Sequence, residues 1–145
     1  MAITSAICSS FKQELLQGKH SFESSGGHTF KIALFTSSAS LGAATTDYST
    51  SNEISNTSGS AYSAGGATLT SVTPVLDSST AVCDFSDVSF TSASFTANGC
   101  LIYNSSQSDK AVAVIAFGGD KTVSSGTFTI QFPTADASNA IIRIA

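Results

Sequence analysis

The clearest alternation of apolar and polar positions lies near the C-terminal end of the chain. In the segment TFTIQF, residues 127–132, apolar side chains alternate with polar ones. A period of two residues is typical of a strand that buries one face. The pattern therefore predicts a sheet with one dry face and one solvated face rich in hydroxyl groups. Ala111–Phe117 precedes this segment, and the glycines at 118 and 119 predict a turn or a bulge, with a turn joining the two strands favoured.

Other β-prone segments follow one another at turn-rich intervals. Thr29–Thr36 is apolar on both faces, which predicts a central strand. Ala67–Leu76 predicts a strand whose distal half is confined by Pro74 to an edge or a bulge. The remaining predicted strands are Ala81–Phe85, Val88–Phe90, Ser94–Asn98, Gly99–Asn104, Ala111–Phe117, Thr127–Phe132 and Ala140–Ala145.

One helix is predicted at the N-terminal end. Thr4 or Ser5 can cap it, apolar side chains recur every four residues at Ile7, Phe11 and Leu15, and Gly18 can end it in a left-handed conformation. The apolar stripe packs either on the chain's own sheet or on a neighbouring subunit. A stripe alone cannot distinguish these surfaces.

The predicted fold is all-β: an antiparallel β-sandwich or jelly-roll-like domain of about eight strands with one N-terminal α-helix. Residues 1–145 are predicted to form a single domain, with the helix and lead-in at 1–20 and the sandwich at 29–145. Residues 37–66 are rich in small polar side chains, with Tyr48, Ile54 and Tyr62 as isolated anchors. This long segment predicts short irregular strands or a projecting arm.

Composition supports a folded chain with a weakly charged surface. Of the 145 residues, 41% are hydrophobic and 11% are charged, and serine and threonine together make up nearly a third. A disordered chain would be poorer in apolar residues and richer in charge. The net charge is −4 and the six basic residues are scattered, so nucleic acid is not an expected partner.

The N-terminal end lacks a basic segment followed by a long apolar core, and no run approaches ~18 apolar residues. We therefore expect a soluble protein that is synthesised in a cytoplasm and has no membrane partner. Cys8, Cys83 and Cys100 are widely spaced, which predicts small buried thiols rather than a disulfide framework.

No metal, cofactor or catalytic site is expected. His20 and His28 have only Glu23 nearby in sequence and are interpreted as solvated loop residues. The acid pairs Asp84 with Asp87 and Asp109 with Asp120 could support glycoside hydrolysis, but aspartate is common in turns for local reasons. No serine lies in a G-x-S-x-G motif. The residue inventory thus argues against an enzyme.

Four segments, taken in order, resemble one family. They are FKIALFTSSASL at Phe30–Leu41, NEIS at Asn52–Ser55, YSAGGATLTSVTP at Tyr62–Pro74 and IAFGGDKTVSSGTFTIQFP at Ile115–Pro133. Together they resemble small virion structural proteins of tailed bacteriophages, in which a KVALYTS-like strand precedes an NEVSGTGYTAGG-like segment and an FGGDK…GTFTI-like hairpin. The resemblance covers nearly the whole chain. It departs at Asn56–Ala61, where NTSGSA stands in place of a shorter GTG-like link.

The resemblance implies a non-catalytic component of the virion, made in the host cytoplasm. Within that class, a capsid decoration (cement) protein fits best. Such a protein would bind the major capsid protein across capsomer seams and stabilise the shell. The alternative is a tail, fibre or adaptor subunit that contacts other tail proteins. In either place a homo-oligomer, a trimer or a dimer, is the natural hypothesis.

Two sets of side chains follow from these hypotheses. The interface candidates are Ile7, Phe11 and Leu15 on the helix and Tyr48 and Ile54 in the irregular segment. A carbohydrate-recognising module of a receptor-binding fibre is less favoured. It would require surface aromatic side chains, and its candidates are Tyr48, Tyr62 and Tyr103.

Overall fold

A computed structural model describes residues 2–54 and 61–145. Its elements are β1 (Ala6–Ile7), α1 (Ser9–Leu16), β2 (Phe30–Phe35), β3 (Ala67–Thr68), β4 (Ser71–Asp77), β5 (Thr80–Phe85), β6 (Val88–Asn104), β7 (Lys110–Ile130) and β8 (Ile142–Ile144), with a single 3₁₀ turn at Ser105–Gln107. The strands form two antiparallel sheets, a larger one in the order β1-β7-β6-β2-β3 and a smaller one in the order β4-β5-β8. The predicted sandwich-like, mostly β fold with one short N-terminal helix is confirmed.

The ladder between β6 and β7 dominates the larger sheet. It joins three segments predicted as separate strands, 88–90, 94–98 and 99–104, into one strand of 17 residues. Opposite it, β7 runs for 21 residues through the glycine pair at 118 and 119. The favoured turn at that pair is therefore wrong, and the bulge is confirmed, because Ala97 lies opposite Lys121 while Gly99 lies opposite Ala116. Bulges add residues to one strand and interrupt its two-residue period.

The β6–β7 ladder is strongly bent. Phe117 and Phe128 both belong to β7, and a straight strand would separate them by about 36 Å. Their ring centroids are instead 6.0 Å apart. Phe128 also packs on Phe95 of β6, with ring centroids 5.1 Å apart. The concave side of the bend therefore gathers the aromatic side chains of the predicted dry face.

The other face of the ladder carries hydroxyl groups, as the alternation in residues 127–132 predicts. The hydroxyl oxygens of Ser89 and Thr129 are 2.9 Å apart, and those of Thr96 and Thr122 are 2.8 Å apart. Both pairs are exposed and connect β6 to β7. Cross-strand pairs of this kind stabilise a sheet by a few tenths of a kcal/mol to about 1 kcal/mol each.

The predicted strand at Ala67–Leu76 is divided between the two sheets. Its first part, β3, pairs with the central strand β2, and its second part, β4, pairs with β5. The single continuous strand is therefore wrong. Pro74 lies in β4, which is an edge strand with a register shift between Val72 and Val75, so the expected edge or bulge is confirmed.

The helix begins later than predicted. Cys8 is its N-cap residue, and Ser5 is not a cap, because its hydroxyl accepts a hydrogen bond from the backbone N–H of Ala116. Residues 6 and 7 pair with β7 instead of starting the helix. Gly18 follows the helix with φ +70°, as predicted. The helix packs within the subunit, because Phe11 is only 1% exposed and belongs to the hydrophobic core.

The two sheets meet through aromatic side chains. Phe30 of β2 and Phe85 of β5 have ring centroids 5.8 Å apart, and Phe22 of the lead-in stacks on Phe30 at 4.4 Å. Burying a phenylalanine side chain stabilises a fold by roughly 1.5–3 kcal/mol. This aromatic layer therefore holds the small sheet and the lead-in against the larger sheet.

The irregular segment follows the sheet instead of projecting from it. Isolated bridges join Ile3 to Leu41 and Asp47 to Lys110, and the backbone N–H of Ile54 donates to the carbonyl of Leu34. The projecting arm is therefore wrong for residues 37–54, and isolated bridges take the place of the predicted short irregular strands there. The NTSGSA departure at 56–61 lies outside the described residues except for residue 61.

Gly66 provides a test of this packing. Its φ is +78°, and a Cβ atom there would lie 1.8 Å from the carbonyl oxygen of Ile32. Gly118 has almost the same φ, +76°, but a Cβ there would meet nothing within 4 Å. We expect Gly118→Ala to lower the free energy of unfolding by about 1–2 kcal/mol through backbone strain, and Gly66→Ala to lower it by at least about 2 kcal/mol more. Denaturant unfolding of both variants measures the difference, and equal losses would contradict the close contact.

Candidate functional site

The five predicted interface residues do not form one exposed surface. Phe11 and Ile54 are 1% and 4% exposed within the subunit, and Ile7, Leu15 and Tyr48 are half-buried. Phe11 and Ile54 therefore present almost no side-chain surface to a partner in this conformation. A contact role for these five residues stays a prediction, and side chains with more exposed apolar area lie elsewhere.

Glu53 collects the hydroxyl groups of two tyrosines. Its Oε1 accepts hydrogen bonds from the hydroxyl of Tyr62 at 2.5 Å and from the backbone N–H of Gly65 at 2.8 Å, and its Oε2 accepts from the hydroxyl of Tyr48 at 2.6 Å. Tyr48 stacks on Tyr103 with ring centroids 4.4 Å apart. We call these residues the Glu53 cluster. The cluster connects the middle of the irregular segment to its C-terminal end, and the stacking on Tyr103 attaches it to β6 of the larger sheet.

The hydroxyl groups of the cluster are committed to the protein's own backbone and side chains. The Tyr103 hydroxyl donates to the carbonyl of Gly65 at 2.6 Å, and the Tyr62 hydroxyl accepts from the backbone N–H of Leu34 at 2.9 Å. Tyr62 and Tyr103 are buried. These rings do not form the exposed aromatic groove that the carbohydrate hypothesis requires.

Burial raises the pKa of all three tyrosines in the cluster. Desolvation is the main cause in each, and it raises the pKa of Tyr103 to about 12. For Tyr48 and Tyr62 the hydrogen bond to Glu53 adds to desolvation, because ionisation of the phenol would place two negative charges together.

A second buried polar cluster joins the N-terminal lead-in to the end of β6. The side-chain amide nitrogen of Asn104 donates to Nδ1 of His20 at 3.0 Å and to Nδ1 of His28 at 2.9 Å. Glu14 Oε2 lies 2.7 Å from His20 Nε2. The interpretation of solvated histidines is wrong for His20, whose side chain is fully buried, and His28 is half-buried. We call these four residues the Asn104 cluster.

Hydrogen bonding fixes the tautomers in the Asn104 cluster. Asn104 Oδ1 accepts from the backbone N–H of Ser106 at 3.0 Å, so the amide is oriented with its NH₂ group toward the imidazoles. Both Nδ1 atoms accept a hydrogen bond, and each neutral ring therefore carries its proton on Nε2. His20 donates that proton to Glu14. Both of its ring nitrogens are then occupied by the protein, so His20 offers neither to a reacting group.

Three of the paired acids accept hydrogen bonds from other groups of the subunit. Asp87 Oδ1 accepts from the backbone N–H of Phe132 at 2.8 Å, and Asp120 Oδ1 accepts from the side-chain amide of Asn98 at 2.8 Å. Asp84 Oδ1 accepts from the backbone N–H of Phe85. Asp87 lies in the turn between β5 and β6, as the interpretation of the acids as turn residues expects, whereas Asp84 lies within β5 and Asp120 within the bulged part of β7.

The cysteines are free thiols. Cys8 and Cys100 are buried, as predicted, and Cys83 is partly exposed. Burial raises the pKa of Cys8 and Cys83 to about 11 and that of Cys100 to about 12. Their reactive thiolate forms are therefore disfavoured at neutral pH.

Two surface depressions differ in character. One, of about 790 Å³, lies beside the N-terminal end and is lined largely by small side chains of residues 38–52. The other, of about 540 Å³, is mainly apolar. Its lining residues are Ile115, Phe117, Lys121, Phe128, Thr129, Ile130, Gln131, Phe132, Pro133 and Ile141. We call it the β7 groove, because most of these residues belong to β7 or directly follow it.

The smaller sheet exposes apolar side chains. Leu76 of β4 and Ile144 of β8 are 71% and 58% exposed, and both lie opposite Ala81 of β5. Directly opposed residues of neighbouring strands project from the same face. Leu76, Ala81 and Ile144 thus form a row across all three strands, which we call the apolar row.

Within residues 2–54 and 61–145, no group of three or more histidine, cysteine or acidic side chains is arranged to hold a metal ion. Over the same ranges, no helix has the length and apolar character needed to span a membrane.

Comparisons with protein-family models, curated proteins and solved structures find no match for this chain.

The raised tyrosine pKa values give a prediction for alkaline pH. An unfolded tyrosine ionises near pH 10, whereas Tyr103 ionises in the fold near pH 12. The folded pKa is the higher one, so this contribution to stability is fully present below about pH 10 and is lost as pH rises toward about 12. Tyrosinate absorbance and circular dichroism should therefore change together during an alkaline titration.

The chain contains three tyrosines, so the absorbance reports on this cluster alone. Glu53→Gln removes the carboxylate and should lower the pH at which Tyr48 and Tyr62 ionise. Ionisation of all three tyrosines near pH 10 in a protein that stays folded would contradict the geometry of the cluster.

The Asn104 cluster predicts the effect of an amide-to-acid change. Asn104→Asp can keep the hydrogen bond from Ser106, but its second oxygen faces two Nδ1 lone pairs. We expect a proton to move to at least one Nδ1, with a loss of about 1–3 kcal/mol in the free energy of unfolding. Nitrogen-15 NMR of the imidazoles and thermal unfolding measure these effects. Asn52→Asp makes the same change at an exposed side chain outside the Asn104 cluster, and unchanged Nδ1 protonation in Asn104→Asp would contradict the assignment.

Proposed function

We propose that this chain is a non-catalytic structural protein of a tailed-bacteriophage virion. Its place in the particle is that of a capsid decoration protein, which binds the major capsid protein across capsomer seams and stabilises the shell. The chain resembles small tailed-phage virion proteins over nearly its whole length. Its surface side chains have the character that repeated assembly requires, namely little charge and little side-chain entropy to lose on burial.

The observation that carries the proposal is the exposed apolar row. Leu76 and Ile144 face solvent in the single chain, although covering such side chains stabilises an assembly by about 25 cal/mol per Å² of apolar area. The interior polar groups described above are used within the subunit, and the row and the β7 groove are two apolar surfaces of the described residues that a partner can cover. Binding at many equivalent seams would add stability to the shell by mass action.

A tail, fibre or adaptor subunit remains the alternative within the same class. The two places differ in copy number, because a decoration protein follows the symmetry of the shell whereas a tail component follows that of the tail. Quantitative mass spectrometry of purified particles, calibrated on the major shell protein, distinguishes them. A copy number comparable to that of the shell protein supports the head location, a small fraction of it supports the tail, and absence from particles refutes the proposal.

The apolar row gives a direct test of the contact. We expect Leu76→Ser combined with Ile144→Ser to reduce the amount of the chain on purified particles by at least about tenfold, since each loses apolar contact worth about 1 kcal/mol or more. Its thermal stability should change little, because both side chains are exposed. Leu16→Ser is the matched control, since Leu16 is 93% exposed and lies outside the row. Wild-type amounts of the double variant on particles would rule out the row as a contact surface.

A further inference from the structure

One edge of β7 is open along most of its length. β6 occupies the other edge throughout, whereas β1 covers only Ala113 and Val114. Ser5, which directly precedes β1, still contacts β7 through its hydroxyl group. The backbone N–H of Thr4 donates instead to the carbonyl of Leu41, away from β7. In the described chain, the backbone of residues 117–130 forms no backbone–backbone hydrogen bond except to β6.

The C-terminal end of this open edge, residues 127–130, lacks the usual protection against pairing with another chain. Natural edge strands carry charged side chains, prolines or bulges that discourage a further strand. The bulge at 117–120 and Lys121 stand at one end of the edge. The segment TVSSGTFTI that follows, residues 122–130, contains neither charge nor proline, and its one further bulge lies between Val123 and Gly126, before residues 127–130. A strand of this composition is a favourable template for β-addition.

The β7 groove lies beside this edge. Its lining includes Ile115, Phe117, Phe128 and Ile130 of β7 but no residue of β6, so it is on the side of β7 away from β6. The bend of β7 turns these side chains toward one another and leaves a volume of about 540 Å³ between them and Ile141. Alternate side chains of an added strand would point toward such a groove, since strand side chains alternate in direction.

The charge of Lys121 indicates which charged group the partner carries. Lys121 is the charged residue that lines the groove, and it forms no salt bridge within the described ranges. An ammonium group at the end of an apolar groove favours a carboxylate on the occupant. The chain itself has a net charge of −4, so a second copy would meet general repulsion that a less acidic partner avoids.

We propose that the open edge of β7 and the β7 groove bind an extended peptide segment of another virion protein. The segment adds to β7 as an antiparallel or parallel strand, places apolar side chains at alternate positions in the groove, and sets one aspartate or glutamate against Lys121. The open edge favours a peptide over a small amphiphile, because its backbone groups match those of a strand. The inference rests on the proposed function, since the particle supplies the segment.

Site-specific photo-crosslinking in assembled particles tests this proposal. A benzophenone-bearing phenylalanine analogue replaces Phe128, which lines the groove, or Thr127, which is exposed and does not line the groove. After irradiation, mass spectrometry identifies the linked peptides. We expect position 128, and not position 127, to crosslink to an acidic, apolar segment of another virion protein.

Two results would overturn the inference while leaving the proposed function intact. They are particles that contain the variant but give no crosslink from position 128, and crosslinks from position 128 to a second copy of this chain. Absence of both the variant and the unmodified chain from particles would instead refute the proposed function.

Charge variants give an independent measurement that leaves the apolar side chains of the groove unchanged. Lys121→Glu should lower the amount of the chain on particles by about tenfold, because a like charge then faces the partner's carboxylate. Lys121→Arg should retain wild-type amounts. Lys12→Glu changes the net charge equally at an exposed helix position and serves as the control. Equal losses for Lys121→Glu and Lys12→Glu would show that net charge, and not the groove, determines binding.

Discussion

The antiparallel ladder between β6 and β7 is the constraint on which the other elements depend. Its straight part supplies buried strand residues such as Leu101 and Val114, and β2 and β1 pair on either side of it. Its bulged part bends over the aromatic core and creates the groove. Since burial of apolar area is the main favourable term in folding, the ladder provides the surface against which shorter elements become stable.

Buried polar side chains then attach the irregular segments to this framework. Glu53 accepts hydrogen bonds from Tyr48 and Tyr62 of the irregular segment, and Asn104 donates to two histidines that lie far from it in sequence. Breaking one such contact would leave a buried group without a partner, which costs more than an average hydrogen bond contributes. The carboxylate, imidazole and phenol groups of the two clusters therefore stabilise the fold by bonding to one another and to the backbone.

The sequence predicted the fold class and the faces of several strands, because alternation is a local property. The segment at 127–132 and the central strand β2 are examples. The alternation did not predict that β6 and β7 are continuous strands. Each bulge adds a residue and so interrupts the alternation, which makes one long strand resemble several short ones. The division of the predicted strand at Ala67–Leu76 depends on which sheet each half meets, and that is a tertiary property.

The polar clusters were missed for a related reason. His20 and His28 have no neighbouring ligand in sequence, and their partner Asn104 lies at the end of β6, far along the chain. One available signal was an asparagine at the end of a nearly continuous apolar run, since a buried amide there requires partners. The three helix candidates came from apolar spacing, which identifies a buried face without telling which surface buries it. Tyr48 and Ile54 were isolated apolar anchors in a polar segment, a pattern that likewise does not identify the contacting surface.

The central claim is that this protein acts through surfaces that other proteins cover. An electron microscopy map of the purified virion at side-chain resolution tests this most directly. The account predicts repeated copies of the chain on the particle, with Leu76 and Ile144 in contact with a neighbouring protein and a strand of another protein beside β7. A map in which both surfaces face solvent, or in which the chain encloses a small molecule among ionisable side chains, would contradict it.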